Sequence, residues 1–178
     1  PHVRITISCQ STYQTLQLLD EEKIDLGLIG RPQKLRGYYF HPLLKIRDTF
    51  VCTQQYLENQ KKLYPDEPLI QAATFMMLDE DNITRQTVNA QLKEHHVELS
   101  HILEVTTMDL LIQFAEIGLG IACVIRDFVK KELEEGTLVE VPVGFSFTPR
   151  EIGFVCRQKD ADLDLIAPFF GEELGEVK

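Results

Sequence analysis

The sequence predicts an α/β fold made of two Rossmann-like βαβ lobes with a cleft between them. The first lobe is indicated by an alternating strand at residues 3–9, a helix after it and an apolar strand at residues 24–30. The second is indicated by residues 104–136, where an amphipathic helix, a glycine turn, a uniformly apolar run and another helix follow one another. Strands at residues 48–53 and 151–157 would carry the chain out of the first lobe and back.

Local signals place the other elements of the first lobe. Ser11 and Gln14 form a capping-box pattern at the start of its helix. The predicted inner stripe of that helix is Tyr13, Leu16 and Leu19. Residues 38–44 read as another short strand, and residues 57–68, which contain two prolines, as a surface loop or a frayed helix.

The second lobe begins with a predicted strand at residues 74–78 and an acidic turn. Thr84 is a plausible N-cap for a helix to about residue 94, and residues 101–105 form the next strand. Thr106 or Thr107 would cap the helix that follows. The predicted inner face of this helix consists of Leu110, Leu111, Phe114, Ala115 and Ile117.

Glycines and caps set the last predicted boundaries. Gly118 stands where a left-handed residue ends a helix, before the buried strand at residues 120–125. Asp127 would cap the following helix and Gly136 would end it. We expect a strand at residues 137–143 and a helix at residues 162–174.

Composition narrows the class of protein. The 178 residues carry 28 acidic and 18 basic side chains, a formal net charge of −10, so this polypeptide is a poor candidate for holding a phosphate backbone by itself. No apolar run approaches the ~20 residues that a membrane helix needs. The four cysteines are far apart and lie in apolar runs, which favours buried free thiols in a reducing cytosol over disulfides or a redox switch.

Two sequence blocks carry a family resemblance. The pattern L-x-x-x-x-I-D-L-G-L-I from Leu19 to Ile29 and the pattern L-I-x-x-x-x-I-G-L-G-I-A from Leu111 to Ala122 resemble the effector-binding domain of LysR-type transcriptional regulators. Residues 151–157, E-I-G-F-V-C-R, look like the returning strand of that family. The resemblance implies a fold like a type 2 periplasmic binding protein, an effector between the lobes and a separate N-terminal winged helix-turn-helix that contacts DNA.

The resemblance also implies a division of the chain. Lobe I would comprise residues 1–52 and 150–178, without the family's first strand and helix, and lobe II residues 53–149. The loop after that first strand usually supplies hydroxyl groups to the effector. One wall of the cleft would therefore come from residues that precede this sequence.

Candidate effector-binding residues follow from their positions at strand ends and helix starts, where α/β proteins bind ligands. Hydroxyls, an amide and arginines at several helix N-termini would suit a small anionic or polar effector. Helix capping alone is the alternative for the hydroxyls and the amide, and a solvated charge for the arginines. The candidates are Ser11, Thr12, Arg31, Asn82, Thr84, Thr106, Thr107, Ile125 and Arg126.

Other chemistries find little support. His95, His96 and His101 lack metal-ligand spacing, and residues 79–81 read as a solvated acidic turn. No phosphate-loop, dinucleotide or nucleophile-elbow motif occurs, so we predict neither a cofactor nor an enzyme. A transporter's solute-binding protein with the same clamshell remains the alternative, and an enzyme on this fold would require an acid/base pair or a cofactor-attaching residue in the cleft.

The family also implies self-association in the cytoplasm. We expect a homodimer or tetramer through the helices at residues 12–22 and 107–117. Leu18 and Ile112 lie off the main inner stripes and are the predicted contacts, unless they merely extend their own cores.

Overall fold

The computed structural model describes residues 6–32 and 34–160, and it divides the chain into two units. The first unit comprises Pro1–Leu44 with Glu151–Lys178, and the second comprises Lys45–Arg150. The strand at residues 48–52, which we assigned to lobe I, thus falls in the second unit. The helix predicted at residues 162–174 lies outside the described residues.

Helices and strands are numbered separately in chain order, and a 3-10 turn at Arg126–Val129 precedes α6. The helices are α1 (Thr12–Asp20), α2 (Gln54–Leu63), α3 (Leu69–Ala72), α4 (Ile83–Glu94), α5 (Met108–Glu116) and α6 (Lys130–Glu135). The strands are β1 (Gly27–Gly30), β2 (Tyr38–Ile46), β3 (Asp48–Cys52), β4 (Thr74–Leu78), β5 (His101–Val105), β6 (Ile121–Ile125), β7 (Val139–Glu140) and β8 (Arg150–Arg157).

The described part of the first unit is a three-stranded sheet with α1 packed on one face. The strand order is β1-β8-β2, and β1 runs antiparallel to β8. Leu19, Ile29 and Val155 form its small buried core. Gly27 allows close packing here, because a Cβ at this position would lie 2.5 Å from Cγ2 of Thr15.

Two predictions for the first unit are wrong. The strand predicted at residues 3–9 is absent from residues 6–9, which are exposed and pair with no described strand, and residues 3–5 lie outside the described residues. The capping box on α1 is confirmed, but Tyr13 is 74% exposed and Thr15 is buried with Leu19 instead. Thr15 and Leu19 lie four residues apart on one face, and Tyr13 lies outside it.

The second unit is built on a five-stranded mixed sheet. The strand order is β5-β4-β6-β3-β7, in which β4 is parallel to β5 and β6, and β3 is antiparallel to β6 and β7. Two hydrophobic clusters pack against this sheet. In one, Phe75 of β4 lies with Val88 of α4, and in the other, Met76 of β4 lies with Leu111 of α5. Alternate residues of β4 therefore pack on opposite faces. Every residue of β6 is buried, as its uniform apolar sequence predicts.

In the second unit, the helix ends predicted at Gly118 and Gly136 are confirmed, but the predicted inner face of α5 is not. Gly118 and Gly136 have φ angles of +76° and +74° and follow α5 and α6. Leu111 and Ala115 are fully buried, whereas Leu110 and Ile117 are exposed. The buried face of α5 is therefore narrower than the predicted one, and Ile117 belongs to the C-cap rather than to the helix body.

Four boundaries differ from the predictions. The segment read as loop or frayed helix is largely helix α2, which Thr53 caps. The strand predicted at residues 137–143 is reduced to Val139–Glu140, because Pro142 has no backbone donor for a ladder. Asn82 rather than Thr84 caps α4. Asp127 does not cap α6, since a 3-10 turn comes first and the N-cap is Val129.

None of the helices within residues 6–32 and 34–160 is both long and apolar enough to cross a membrane.

Candidate functional site

The candidate residues of the second unit lie at one edge of its sheet. The parallel strands β4, β5 and β6 end at Leu78, Val105 and Ile125, so their carboxyl ends share this edge. Helices α4 and α5 begin directly after two of these strands. Their positive N-terminal ends and free backbone N–H groups suit an anionic or polar ligand.

Two of the candidates cap these helices. Oδ1 of Asn82 accepts a hydrogen bond from the backbone N–H of Thr84 at 2.8 Å. Oγ1 of Thr107 accepts one from the backbone N–H of Leu110 at 3.4 Å. Thr106 is exposed, and its hydroxyl bonds to none of the described residues. Thr106 is therefore the hydroxyl at the start of α5 that capping leaves available.

Thr84 takes part in a buried polar cluster that the sequence did not reveal. Its Oγ1 accepts a hydrogen bond from Nη2 of Arg150 at 2.8 Å. Arg150 also donates from Nε and Nη2 to the two carboxylate oxygens of Asp48, at 2.7 Å and 2.9 Å. Thr84 and Asp48 are both buried. In the sequence, Asp48 is visible only as an aspartate at the start of an apolar strand, and Arg150 only as an arginine before the predicted strand at residues 151–157. No spacing rule predicts a contact between residues so far apart.

The other two candidates at this edge follow one another at the end of β6. Ile125 is buried and is the register partner of Asp48. The exposed Arg126 donates from Nε to Oε1 of Glu140 at 2.7 Å. Glu140 belongs to β7, which lies on the far side of β3 from β6. The guanidinium of Arg126 is thus engaged toward β7 rather than toward the ends of β4 and β5.

The remaining three candidates belong to the first unit. Ser11 caps α1, since its Oγ accepts from the backbone N–H of Gln14 at 3.2 Å. The half-buried Thr12 has no side-chain hydrogen bond within the described residues. Arg31 follows β1, and its Nη1 donates to Oε2 of Glu151 at 2.6 Å. Of these three side chains, Thr12 is the one that local structure leaves without a role.

Metal binding has no geometric support in the described part of the chain. There, no group of three or more histidine, cysteine, aspartate or glutamate side chains is placed to hold an ion. The four cysteines are free thiols, three of them buried and Cys9 exposed.

Hydroxyl groups and helix N-termini at the ends of parallel strands are thus the main features of the candidate site, and the whole chain can now be compared with known families. The family model for the LysR substrate binding domain matches residues 1–172. The chain belongs to the LysR substrate binding domain family.

The chain is similar in sequence to the HTH-type transcriptional regulator YeiE of Escherichia coli K12. It is 23% identical over 154 residues, which cover 80% of this LysR-family chain and 48% of YeiE. The chain thus spans about half the length of the curated relatives it matches.

Solved structures similar to this LysR-family chain are regulatory or effector-binding domains. The HypT regulatory domain of Salmonella typhimurium superposes with a TM-score of 0.71 at 16% identity, covering 86% of this chain and 73% of that one. The reduced OxyR2 regulatory domain of Vibrio vulnificus gives 0.69 at 18%, with 89% and 75% covered. The QuiR effector-binding domain in complex with shikimate gives 0.64 at 14%, with 84% and 69% covered. These likenesses show a shared fold.

Proposed function

We propose that this chain is the effector-sensing domain of a LysR-type transcriptional regulator. Its effector is a small anionic or polar molecule, and a separate winged helix-turn-helix contacts DNA in the cytoplasm. Effector binding shifts an equilibrium between arrangements of the subunits and so changes DNA binding. Family membership supports the role of the domain, and the relation to an HTH-type regulator supports the transcriptional setting.

The observation that carries the ligand proposal is the carboxyl edge of the five-stranded sheet. Two helix N-termini and the side chains of Asn82, Thr84, Thr106 and Thr107 are located there. Such an edge binds polar ligands through backbone N–H groups and hydroxyls, without any need for a nucleophile or a metal. We therefore propose binding and not catalysis. The half-buried Thr12, whose hydroxyl has no partner within the described residues, is also a proposed effector contact.

The test is a thermal-shift screen of the chain against small carboxylates, amino acids, aromatic acids and inorganic oxyanions. A ligand at one hundred times its dissociation constant adds about 2.7 kcal/mol and raises the melting temperature by several degrees. Thr12→Val should abolish the shift while leaving the ligand-free melting temperature unchanged. Thr137→Val, at an exposed threonine beyond α6, is the matched control and should keep the shift. A broad panel in which no compound binds would contradict the proposal.

We also propose that the domain associates through α1 and α5, as a homodimer or tetramer. Leu18 and Ile112 are half-buried, while Tyr13 of α1 and Ile117 at the C-cap of α5 are 74% and 75% exposed. Apolar side chains this exposed are candidates for burial against another subunit. We expect Tyr13→Ser with Ile117→Ser to shift the mass measured by light scattering toward the monomer. A chain that is already a monomer at high concentration would rule this out.

A further inference from the structure

We propose that Arg150 binds the anionic group of the effector, and that this group is a carboxylate. The inference rests on the proposed function, because it names the cationic side chain of that same site. Arg150 is not among the residues that the sequence predicts. Its position, its fixed orientation and its remaining hydrogen-bond donors each support the assignment.

The position of Arg150 follows from strand register. Asp48 is the register partner of Ile125, the last residue of β6, and so lies at the carboxyl edge of the parallel strands. Both carboxylate oxygens of Asp48 accept from Arg150, at 2.7 Å and 2.9 Å. Thr84, in the first turn of α4, accepts from the same guanidinium. Arg150 is therefore held at the edge where α4 begins.

The orientation of the guanidinium is fixed before any ligand arrives. Nε donates once and Nη2 donates twice, so three bonds to two side chains define the plane of the group. The side chain of Arg150 is 12% exposed and that of Asp48 is fully buried. A planar fork held in this way loses little conformational freedom when it binds a further acceptor.

The donors left over match a carboxylate. The Nη1 group of Arg150 has no acceptor within the described residues. Among the described residues, only one fully buried side-chain nitrogen or oxygen has no hydrogen-bond partner, and that atom is Oε1 of Gln60. Because Nη1 of Arg150 also has no partner, it is not fully buried and is accessible to solvent. The hydroxyl hydrogen of Thr84 is also free to be donated, because its oxygen is the acceptor from Arg150. Two neighbouring donors and the positive end of a twelve-residue helix favour a ligand group that only accepts.

Asp48 determines how this site selects its ligand. The carboxylate of Asp48 offsets the charge of Arg150, so the edge does not attract every anion from a distance. Selection depends instead on directional hydrogen bonds, which are strongest to a charged acceptor. The primary amide of the same molecule should bind poorly, because its NH₂ group would face the N–H groups of Arg150 and the hydroxyl of Thr84.

The experiment measures thermal shifts of the chain with three matched pairs of compounds: acetate with acetamide, benzoate with benzamide, and succinate with succinamide. At least one acid should raise the melting temperature while its amide does not. In Arg150→Lys the affinity for that acid should fall by about tenfold or more, since lysine keeps a charge beside Asp48 but has no fork to share with a ligand. Arg36→Lys, at an exposed arginine of the first unit, is the matched control and should bind as the original chain does.

The outcomes separate this inference from the proposed function. If Arg150→Lys binds the acid as tightly as the original chain does, the inference is overturned, although the chain is still a ligand-binding domain. The same conclusion would follow if Arg126→Lys lost acid binding and Arg150→Lys kept it. Binding only of neutral compounds in the broad panel would have the same meaning. If Arg150→Lys does not fold, Thr84→Val removes the neighbouring hydroxyl and keeps the ion pair. That variant should bind the acid several-fold more weakly, and unchanged affinity would again overturn the inference. A chain that binds nothing overturns the proposed function itself.

Discussion

The four cysteine side chains occupy contrasting environments that determine their reactivity. Burial raises the pKa of the Cys52 thiol to about 12, and it raises the pKa values of Cys123 and Cys156 as well. Because the thiolate is the reactive form, these three thiols should be inert in the folded chain. Cys9 is exposed. We expect Ellman's reagent at pH 8 to titrate one thiol in the native chain and four in guanidinium. Fast reaction of a second native thiol would contradict this expectation, and Cys9→Ser is the control.

Neighbouring hydroxyls at the start of α1 have separate roles. The side chain of Ser11 bonds to the backbone of Gln14, and the Gln14 side chain bonds back to the N–H of Ser11. Ser11→Ala should therefore lower the free energy of unfolding by about 1 kcal/mol in urea titrations. Thr12→Val should leave it almost unchanged, because the Thr12 hydroxyl has no partner among the described residues. Unchanged stability in Ser11→Ala would show that the capping box does not stabilise the helix, and an equal loss in Thr12→Val would contradict the separate roles of the two hydroxyls.

At the scale of elements, the sequence predicted what local rules determine. The buried strand β6 follows from its uniform apolar run, and the ends of α5 and α6 follow from glycines with positive φ. Helix α2 was predicted only as a surface loop or a frayed helix, because it is polar and Tyr56 is its one buried residue. For the candidate site, the sequence predicted only the residues at helix starts and strand ends, because capping patterns are local. The contact of Asp48 with Arg150 depends on tertiary packing across 102 residues and has no local signal.

Strand β8 makes a close approach that only glycine permits. A Cβ at Gly153 would collide with the backbone carbonyl of His41 and with the ring of Phe40. Gly153→Ala should therefore push β8 away from its neighbour and lower the free energy of unfolding by several kcal/mol, measured in urea. Gly136→Ala is the matched control, since nothing lies near its added Cβ and the backbone strain alone costs about 1 kcal/mol. Similar losses in both variants would contradict the close approach.

At the scale of the whole molecule, the raised pKa values of a buried cysteine and a half-buried tyrosine predict sensitivity to alkali. Burial raises the pKa of Cys52 from 9.0 to about 12, and burial with a hydrogen bond to Asp20 raises that of Tyr38 from 10.0 to about 12. The folded chain therefore holds these protons more tightly than the unfolded chain does. Their contribution to stability is complete below pH 9 and is lost as the pH rises toward 12. Urea unfolding between pH 8 and pH 11 should show this decline, and Cys52→Ala should make it shallower. An equally steep decline in that variant would exclude Cys52 as a source.

The order of strands in the first unit also determines the order in which the chain can mature during synthesis. The middle strand of its sheet, β8, pairs with β1 through Gly27 and Val155, and all of Lys45–Arg150 is translated between them. Strands β1 and β2 thus leave the ribosome long before their shared partner exists. Such long-range pairing forms late and exposes unpaired edges in the meantime. We expect a stalled nascent chain to protect the second unit from proteolysis first, while the first unit still depends on chaperones.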